Sequence, residues 1–487
     1  MKYLFLTFLF AFTSVAGLQA QTATTPAYTI TGQVRGLSDT TCILAHYYGS
    51  GQYIPKDTAR TDREGRMVFS GTKPLPTGLY LLVMPKSGYI EFLMDDDQQF
   101  AFTTDTSSII KNMQVTGSRE NELFYGYQQQ LGKLYDEAQA LNKLRKDPSQ
   151  AAAVDQKMAD LQKRAQTDRN TFFAEHKGTF AAKLISASGE PEVPPAPKLA
   201  NGRNDSTWVF NYYKGHFWDN FDFADERFIR TPILQKKLER YIKELTVQVP
   251  DSLIKEADFL VEKARAGKNK DMLNYVIYYI TSQYEQPKVM GTDGLFVHMF
   301  EKYYKTGVMA VSDSSTLKSI GERVATLKPL LVGKILPAPV VSDTLRRPIN
   351  FQGIRADYTV VYFYDPHCGH CRDSAPKLRK FVDTYKGKGT EVVAIAIDQT
   401  PEEWKKFIRE FKLQNAINGY DYNARTDFRH QYDVWTTPTV YILDRSKKIL
   451  ARKLPVEQIE DFIQFHKRQQ AAVAKAPATP AKTAVRK

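Results

Sequence analysis

Tyr358-Thr359-Val360-Val361-Tyr362-Phe363-Tyr364-Asp365-Pro366-His367-Cys368-Gly369-His370-Cys371 is the stretch on which the reading of the fold turns. Its first seven residues are all β-branched or aromatic, the composition of a buried strand. Beyond the cysteines, Ala375, Leu378, Phe381, Val382 and Tyr385 recur at three- and four-residue steps, which predicts a helix with Pro376 as an early kink. Cys368 and Cys371 therefore fall at a strand-to-helix junction, one helical turn apart. There the first thiol meets unpaired backbone N–H groups and the positive end of the helix dipole, which favour thiolate. Cys368 is the better-placed nucleophile, and Cys371 is near enough to resolve a mixed disulfide formed on it.

A Cys-x-x-Cys pair also serves as half of a zinc site or as a static disulfide. Zinc needs about four ligands, and the only other cysteine, Cys42, is far away in sequence. His367 and His370 offer ring nitrogens, but the strand-to-helix setting suits redox chemistry better than metal binding. No metal and no organic cofactor is expected.

Downstream, Glu391 to Asp398 reads as a second buried strand. Glu402 to Phe411 reads as an amphipathic helix with Trp404, Phe407, Ile408 and Phe411 on one side, completing a βαβ unit. Trp435 to Asp444 is a further strand with Pro438 near its start, where proline cannot donate a ladder hydrogen bond. Another strand, Lys448 to Leu454, and a last helix, Gln458 to Lys467, follow. On these residues, Cys368 to Cys371 and Thr437-Pro438 ahead of a strand, the C-terminal part resembles a thioredoxin-fold domain. The resemblance implies that the Thr437-Pro438 bond is cis and packs beside the cysteines, with Thr437 offering backbone groups to a substrate chain.

Within that superfamily it most resembles the TlpA/ResA-like group of exported bacterial thiol-disulfide oxidoreductases. Leu336 to Asp343 followed by Pro348 to Phe351 looks like their opening hairpin, and Pro376, eight residues after Cys368, also fits. Three positions depart from the pattern. His367 stands where tryptophan is usual. Tyr362 and Ser374 stand six residues before and six after Cys368, where relatives place an acid. Asp365 and Asp373 are near but occupy neither slot, so the proton acceptor for Cys371 is left open between water and His370. The intervening Gly369-His370 is shared with protein disulfide isomerase. A histidine there favours the Cys368 thiolate and makes the disulfide more oxidising, on a scale where thioredoxin and the isomerase differ by roughly 90 mV, about 4 kcal/mol. A potential above that of thioredoxin is expected, with the direction of electron flow open between reductase and oxidase or isomerase.

Ahead of this domain, Met1-Lys2, an apolar run from Tyr3 to Ala16 and a small residue at Ala20 predict a cleaved secretory signal over residues 1–20. Localisation is expected to be periplasmic or otherwise exported, which suits a dithiol whose partners carry disulfides. No cysteine lies near the cleavage point, so a lipoprotein anchor is not expected. No later window is apolar enough for a transmembrane segment.

The 487 residues predict about three domains after the signal. Short alternating segments, Tyr28 to Val34, Thr41 to Tyr48, Arg66 to Phe69, Leu79 to Val83, Tyr89 to Met94 and Gln98 to Thr103, predict an antiparallel β-sandwich over 28–115. Asp62-Arg63-Glu64-Gly65 marks a turn within it. It resembles the sandwich of uncharacterised function that precedes exported thioredoxin domains, and Cys42 within it is expected to be a buried free thiol. Residues 116–332 predict an all-α region that resembles the helical domain of unknown function found ahead of thioredoxin domains in large exported oxidoreductases. Leu123, Tyr127, Leu131, Leu134, Ala138 and Leu141 form one stripe; Val154, Met158, Leu161, Ala165 and Phe172 form the next, an αα-hairpin. An aromatic cluster follows, Trp208, Phe210, Tyr212, Tyr213, Phe217, Trp218, Phe221 and Phe223, with core as the default and a peptide-binding surface as the alternative. His176, His216 and His298 show no metal-ligand spacing. The fold class expected is multidomain: sandwich, helices, then an α/β thioredoxin fold over 333–468.

The net charge of +13 invites a nucleic-acid partner, but Lys467, Arg468, Lys475, Lys482, Arg486 and Lys487 supply six positives with no acid among them. About half of the excess therefore belongs to a tail, 469–487, expected to be a disordered basic end. The partners expected are protein thiols or disulfides and an electron-transfer protein, not nucleic acid. A docking protein without catalysis is the alternative. Peroxide reduction is disfavoured, because Thr359 and Pro366 lack the spacing of a peroxidatic loop.

Overall fold

The computed structural model describes residues 26–475 apart from 50, 86, 87, 146, 148 and 312. The expected signal, 1–20, and the end of the basic tail, 476–487, lie outside them. The described chain forms two compact units.

The first unit opens with eight strands: β1 (Tyr28–Arg35), β2 (Thr41–Tyr47), β3 (Tyr53–Arg60), β4 (Arg66–Gly71), β5 (Gly78–Met84), β6 (Gly88–Met94), β7 (Gln99–Asp105) and β8 (Gln114–Thr116). They make two four-stranded sheets in the orders β4-β1-β7-β8 and β3-β2-β5-β6. Apolar faces meet between the sheets: the Phe92 ring of β6 lies 4.5 Å from Phe102 and 5.7 Å from Phe100 of β7, centroid to centroid. The expected sandwich is there, with one pairing, β1 with β7, parallel rather than antiparallel. These strands are joined through the opposite sheet rather than by a hairpin, which frees their relative direction. Sequence patterning missed β3 and β8. β3 carries Pro55, Lys56 and Asp57 in a largely exposed run at a sheet edge, and such residues protect edges from further pairing. The Asp62–Gly65 turn forms; Gly65 has φ +78°, and a Cβ there would collide with the Val34 carbonyl.

Three helices follow in this unit, α1 (Arg119–Leu144), α2 (Ala151–His176) and α3 (Phe180–Ser188), and two later segments, Trp218–Phe221 and Arg227–Leu234, belong to it as well. The α1–α2 hairpin closes on Leu141, Val154 and Leu161, while Leu131 of the expected stripe is exposed. The buried Glu120 carboxylate accepts from the Phe180 and Ala181 amides at 3.0 and 2.7 Å, satisfying the start of α3.

The second unit holds α4 (Ser206–His216), most of α5 (Pro232–Lys243), α6 (Pro250–Ala266), α7 (Lys270–Tyr284), α8 (Gly294–Met299, running on as a π turn to Tyr304) and α9 (Ser314–Leu327), together with the C-terminal α/β fold. Packing thus divides the region expected as one helical domain, 116–332: α1 to α3 go with the sheets, and the later helices mostly with the α/β fold. Burial also splits the aromatic cluster. Phe217, Trp218, Phe221 and Phe223 are core, whereas Phe210 is exposed and Trp208, Tyr212 and Tyr213 are half-buried.

The α/β fold consists of β9 (Tyr358–Tyr364), α10 (Gly369–Tyr385), β10 (Thr390–Ala396), α11 (Pro401–Phe411), β11 (Ile417–Tyr420), α12 (Phe428–Tyr432), β12 (Thr439–Asp444), β13 (Ile449–Arg452) and α13 (Ile459–Lys475). Its sheet runs β11-β10-β9-β12-β13, with β9, β10 and β11 parallel and the last two antiparallel. Every residue of β9 is buried, as expected of a central strand covered on both faces. Val360, Tyr362 and Tyr364 face a core shared with Leu378, Phe407 and Ile463 of the helices. Val361 and Phe363 face Leu336, Val341, Phe351 and Tyr432 on the other side. The opening hairpin is reduced to a turn with one Ser342–Pro348 bridge. Two expectations shift: β12 begins at Thr439, directly after Pro438, and α13 continues to Lys475, into the stretch expected to be disordered. Gln469, Gln470, Ala471 and Ala472 are good helix formers and extend the last helix.

Candidate functional site

The strand β9 ends against a short loop whose own bonds fix it. Asp365 accepts from the His367 amide through its side chain at 2.8 Å and from the Cys368 amide through its carbonyl at 3.0 Å. Cys368 thereby becomes the N-cap of α10, where the expected strand-to-helix junction lies. Pro376 sits inside α10.

The two thiols, both unbonded, have opposite surroundings. Cys368 is half-buried. Partial burial pushes its thiol up, but hydrogen bonds from the Thr437 side chain and from the Cys371 and His370 backbone outweigh this and leave it below the ordinary thiol value. Cys371 is fully buried on α10, and burial pushes its thiol up to about 12 despite a bond from the Thr437 side chain. The Thr437-Pro438 bond is cis, as the resemblance implied, and Thr437 lies against the pair. Its carbonyl accepts from the Cys368 thiol at 3.3 Å. The cysteines and the Thr437-Pro438 loop, 69 residues apart in the chain, are thus brought together.

The two departures from the acid pattern turn out to be one feature. The buried Tyr362 hydroxyl lies 2.9 Å from Ser374 Oγ and donates to the Cys371 carbonyl at 3.3 Å, while Ser374 Oγ donates to the same carbonyl at 3.1 Å. A hydroxyl pair bonded to the Cys371 carbonyl thus stands at the two sequence positions where the resemblance leads one to expect an acid. Burial raises Tyr362 far above neutrality, so it takes no proton there near pH 7. Asp365 is engaged in its own loop, and Asp373 is exposed.

His370 and Gly369 are exposed at the start of α10. His367 is exposed too, and its Nε2 lies 3.1 Å from Glu403 of α11, whose carboxyl is held below the usual range by that hydrogen bond. Arg372 pairs with Glu410 further along α11. Glu403 and Glu410 were missed in the sequence, where only the apolar face of that helix gave a signal. His298 bonds Asp258 at 2.8 Å, and His176 packs on the Phe172 ring. Cys42 is a buried free thiol of β2.

A second group was also invisible in the sequence. The Asp433 side chain, fully buried in the loop before Trp435, lies 2.5 Å from Arg323 of α9, 2.7 Å from Lys453 and 3.3 Å from Arg452 of β13. Arg452 also pairs with the buried Asp293 ahead of α8, and burial lowers Arg452 to about 10.

A five-stranded sheet with Cys-x-x-Cys heading the helix after its central strand, and a cis-proline loop against the first sulfur, defines the thioredoxin superfamily. A profile described as thioredoxin-like matches residues 356–449, and two domains of unknown function, DUF4369 and DUF5106, match 28–124 and 148–325. The thiol-disulfide oxidoreductase ResA of Bacillus cereus is 24% identical over 143 residues, 29% of this chain and 81% of the relative. Among solved structures, a domain of a possible thiol-disulfide isomerase from Cytophaga hutchinsonii is 35% identical, covering 30% of this chain and 98% of that one, with a TM-score of 0.29. A thioredoxin-like protein from Bacteroides caccae is 18% identical, covering 56% and 98%, with a TM-score of 0.45. The chain is a TlpA/ResA-like member of the thioredoxin superfamily that carries two further domains of unknown function. No described helix is long and apolar enough to cross a membrane.

Proposed function

We propose that this chain is an exported thiol-disulfide oxidoreductase acting on protein substrates, with residues 333–468 as its redox module. The observation that carries the reading is the placement of the sulfurs: Cys368, half-buried, caps α10 with its thiol 3.3 Å from the Thr437 carbonyl of the cis-proline loop, while Cys371 is buried one turn further on, an arrangement that lowers the first thiol and raises the second. The Cys368 thiolate attacks one sulfur of a substrate disulfide; that bond breaks, one substrate thiolate leaves and a mixed disulfide forms. Cys371 then loses its proton and attacks the Cys368 sulfur. The second substrate thiol leaves, the substrate has gained two electrons, and the enzyme holds the Cys368–Cys371 disulfide. Run in reverse, the same steps oxidise a dithiol. Thr437 and Pro438 hold the substrate backbone beside the sulfurs, and Gly369, His370 and His367 tune the Cys368 thiolate. Residues 1–20 act as the export signal.

Cys371→Ser leaves the first step intact and removes the second, so it accumulates envelope proteins on Cys368 that reductant releases. An extract with no mixed disulfide on this variant sinks the reading. Non-catalytic docking is the second reading, supported by the absence of a carboxylate at Tyr362 and Ser374. A wild-type protein that reduces insulin no faster than its Cys368→Ser, Cys371→Ser variant supports docking. A measured redox potential decides the working direction.

A further inference from the structure

One residue ahead of Thr437 a groove begins that the thioredoxin fold does not build alone. A cavity of about 1100 Å³ has Trp435, Thr436 and Lys453 on one side. Its other side consists of the loop after α7, through Val289 and Met290, and of α9, through Ala325. This exceeds the roughly 300–1,000 Å³ of small-ligand pockets. Val289, Met290 and Trp435 are 45%, 38% and 55% exposed around it, an apolar lining left open to solvent. The ionised side chains around it balance in sign: Lys288, Arg323, Arg452 and Lys453 against Glu285, Glu322, Asp293 and Asp433. Selection there is accordingly by shape and apolar contact rather than by net charge.

The walls are fixed to each other. Arg452 and Asp433 on the α/β side bind Asp293 and Arg323 on the helical side, and all but Arg323 of these are nearly or fully buried. The groove is therefore preformed, which lowers the ordering cost of filling it.

We propose that this groove takes the stretch of protein substrate next to the cysteine that exchanges with Cys368, an extended segment with an apolar side chain a few residues from that cysteine. Continuity carries the assignment. Thr437 contacts the Cys368 sulfur at 3.3 Å, and Thr436 already lines the groove. A chain lying along this loop, at about 3.3 Å per residue, reaches Trp435 and the helical wall within a few residues of the reacting sulfur. A small disulfide ends before it. The inference rests on the thiol-disulfide reading and adds to it a specificity site supplied by the helices.

The test compares the full mature protein on insulin and on oxidised glutathione. Ala325→Trp fills the groove from an exposed helical position, and Val289→Asp places a charge on its apolar lining. Each variant is expected to lower the ratio of kcat/KM for insulin to that for glutathione by about fivefold. Glutathione exchange in the same variants reports that the active site is folded. An unchanged ratio overturns the groove while leaving the redox reading intact. A wild-type protein that exchanges with neither disulfide overturns both. A ratio that rises when residues 476–487 are removed gives the groove to the chain's own C-terminal segment and overturns the proposal.

Discussion

In the proposed reaction Cys371 loses a proton before it releases a substrate, and the two hydroxyls beside it bond its backbone carbonyl rather than its sulfur. Ser374 and Tyr362 both bond the Cys371 backbone carbonyl, and burial holds both Tyr362 and Cys371 in their protonated forms at neutral pH. With the thiol at about 12, its anionic fraction grows with every step in pH below that value. Resolution of a mixed disulfide on Cys368 is expected to accelerate by about tenfold per pH unit between pH 7 and 9, without the plateau a neighbouring carboxylate would impose. Tyr362→Phe keeps that slope, because the hydroxyl is not the base. It loses about 1 kcal/mol of stability from one buried hydrogen bond. Stopped-flow release of a fluorescent thiol measures the slope, and a break in it that the Phe variant removes would assign the proton to Tyr362. Both positions were legible as departures, since counting from Cys368 locates them. Their partnership was not, because a strand residue and a helix residue 12 positions apart meet only when α10 packs on β9.

At the scale of elements, a buried charge cluster joins α9, the residues ahead of α8 and the β12–β13 pair. Asp433 closes α12 in a left-handed conformation, φ +53°, and faces Arg323, Arg452 and Lys453 with no exposure of its side chain. Asparagine tolerates that conformation, so Asp433→Asn removes the charge and little else. It leaves buried Arg452 with Asp293 alone and is expected to cost about 3–5 kcal/mol in urea unfolding. A change under about 1 kcal/mol would mean that water already screens the cluster. The elements themselves were mostly readable. β9, β10, α10 and α11 announce themselves through continuous apolar runs or helical stripes. β3 and β11 were not, since an exposed edge strand and a four-residue strand carry too little periodicity.

At the scale of the molecule, the chain joins a redox fold to domains whose packing does not follow their order in sequence. The helices after α3 mostly belong to the same compact unit as the cysteines, whereas α1 to α3 belong with the sheets. The exported reading makes one prediction here: mass spectrometry of protein recovered from the periplasm gives a mature N-terminus at Gln21. Retention of Met1 to Ala20 in that fraction, or recovery only from the cytosol, contradicts it.

The sequence by itself determined the strand-to-helix junction that holds Cys368 and Cys371 one helical turn apart, because local composition and fixed spacing carry it wherever the chain packs. The thioredoxin fold and the cis Thr437-Pro438 bond were readable only through the resemblance those residues carry, and the structure has both. Only the tertiary structure decided what surrounds them. The Tyr362–Ser374 hydroxyl pair, the Glu403 partner of His367, the Asp433 cluster and the helical wall of the groove all join residues from separate elements. Such contacts depend on which faces are buried together, and no run of neighbouring residues encodes them.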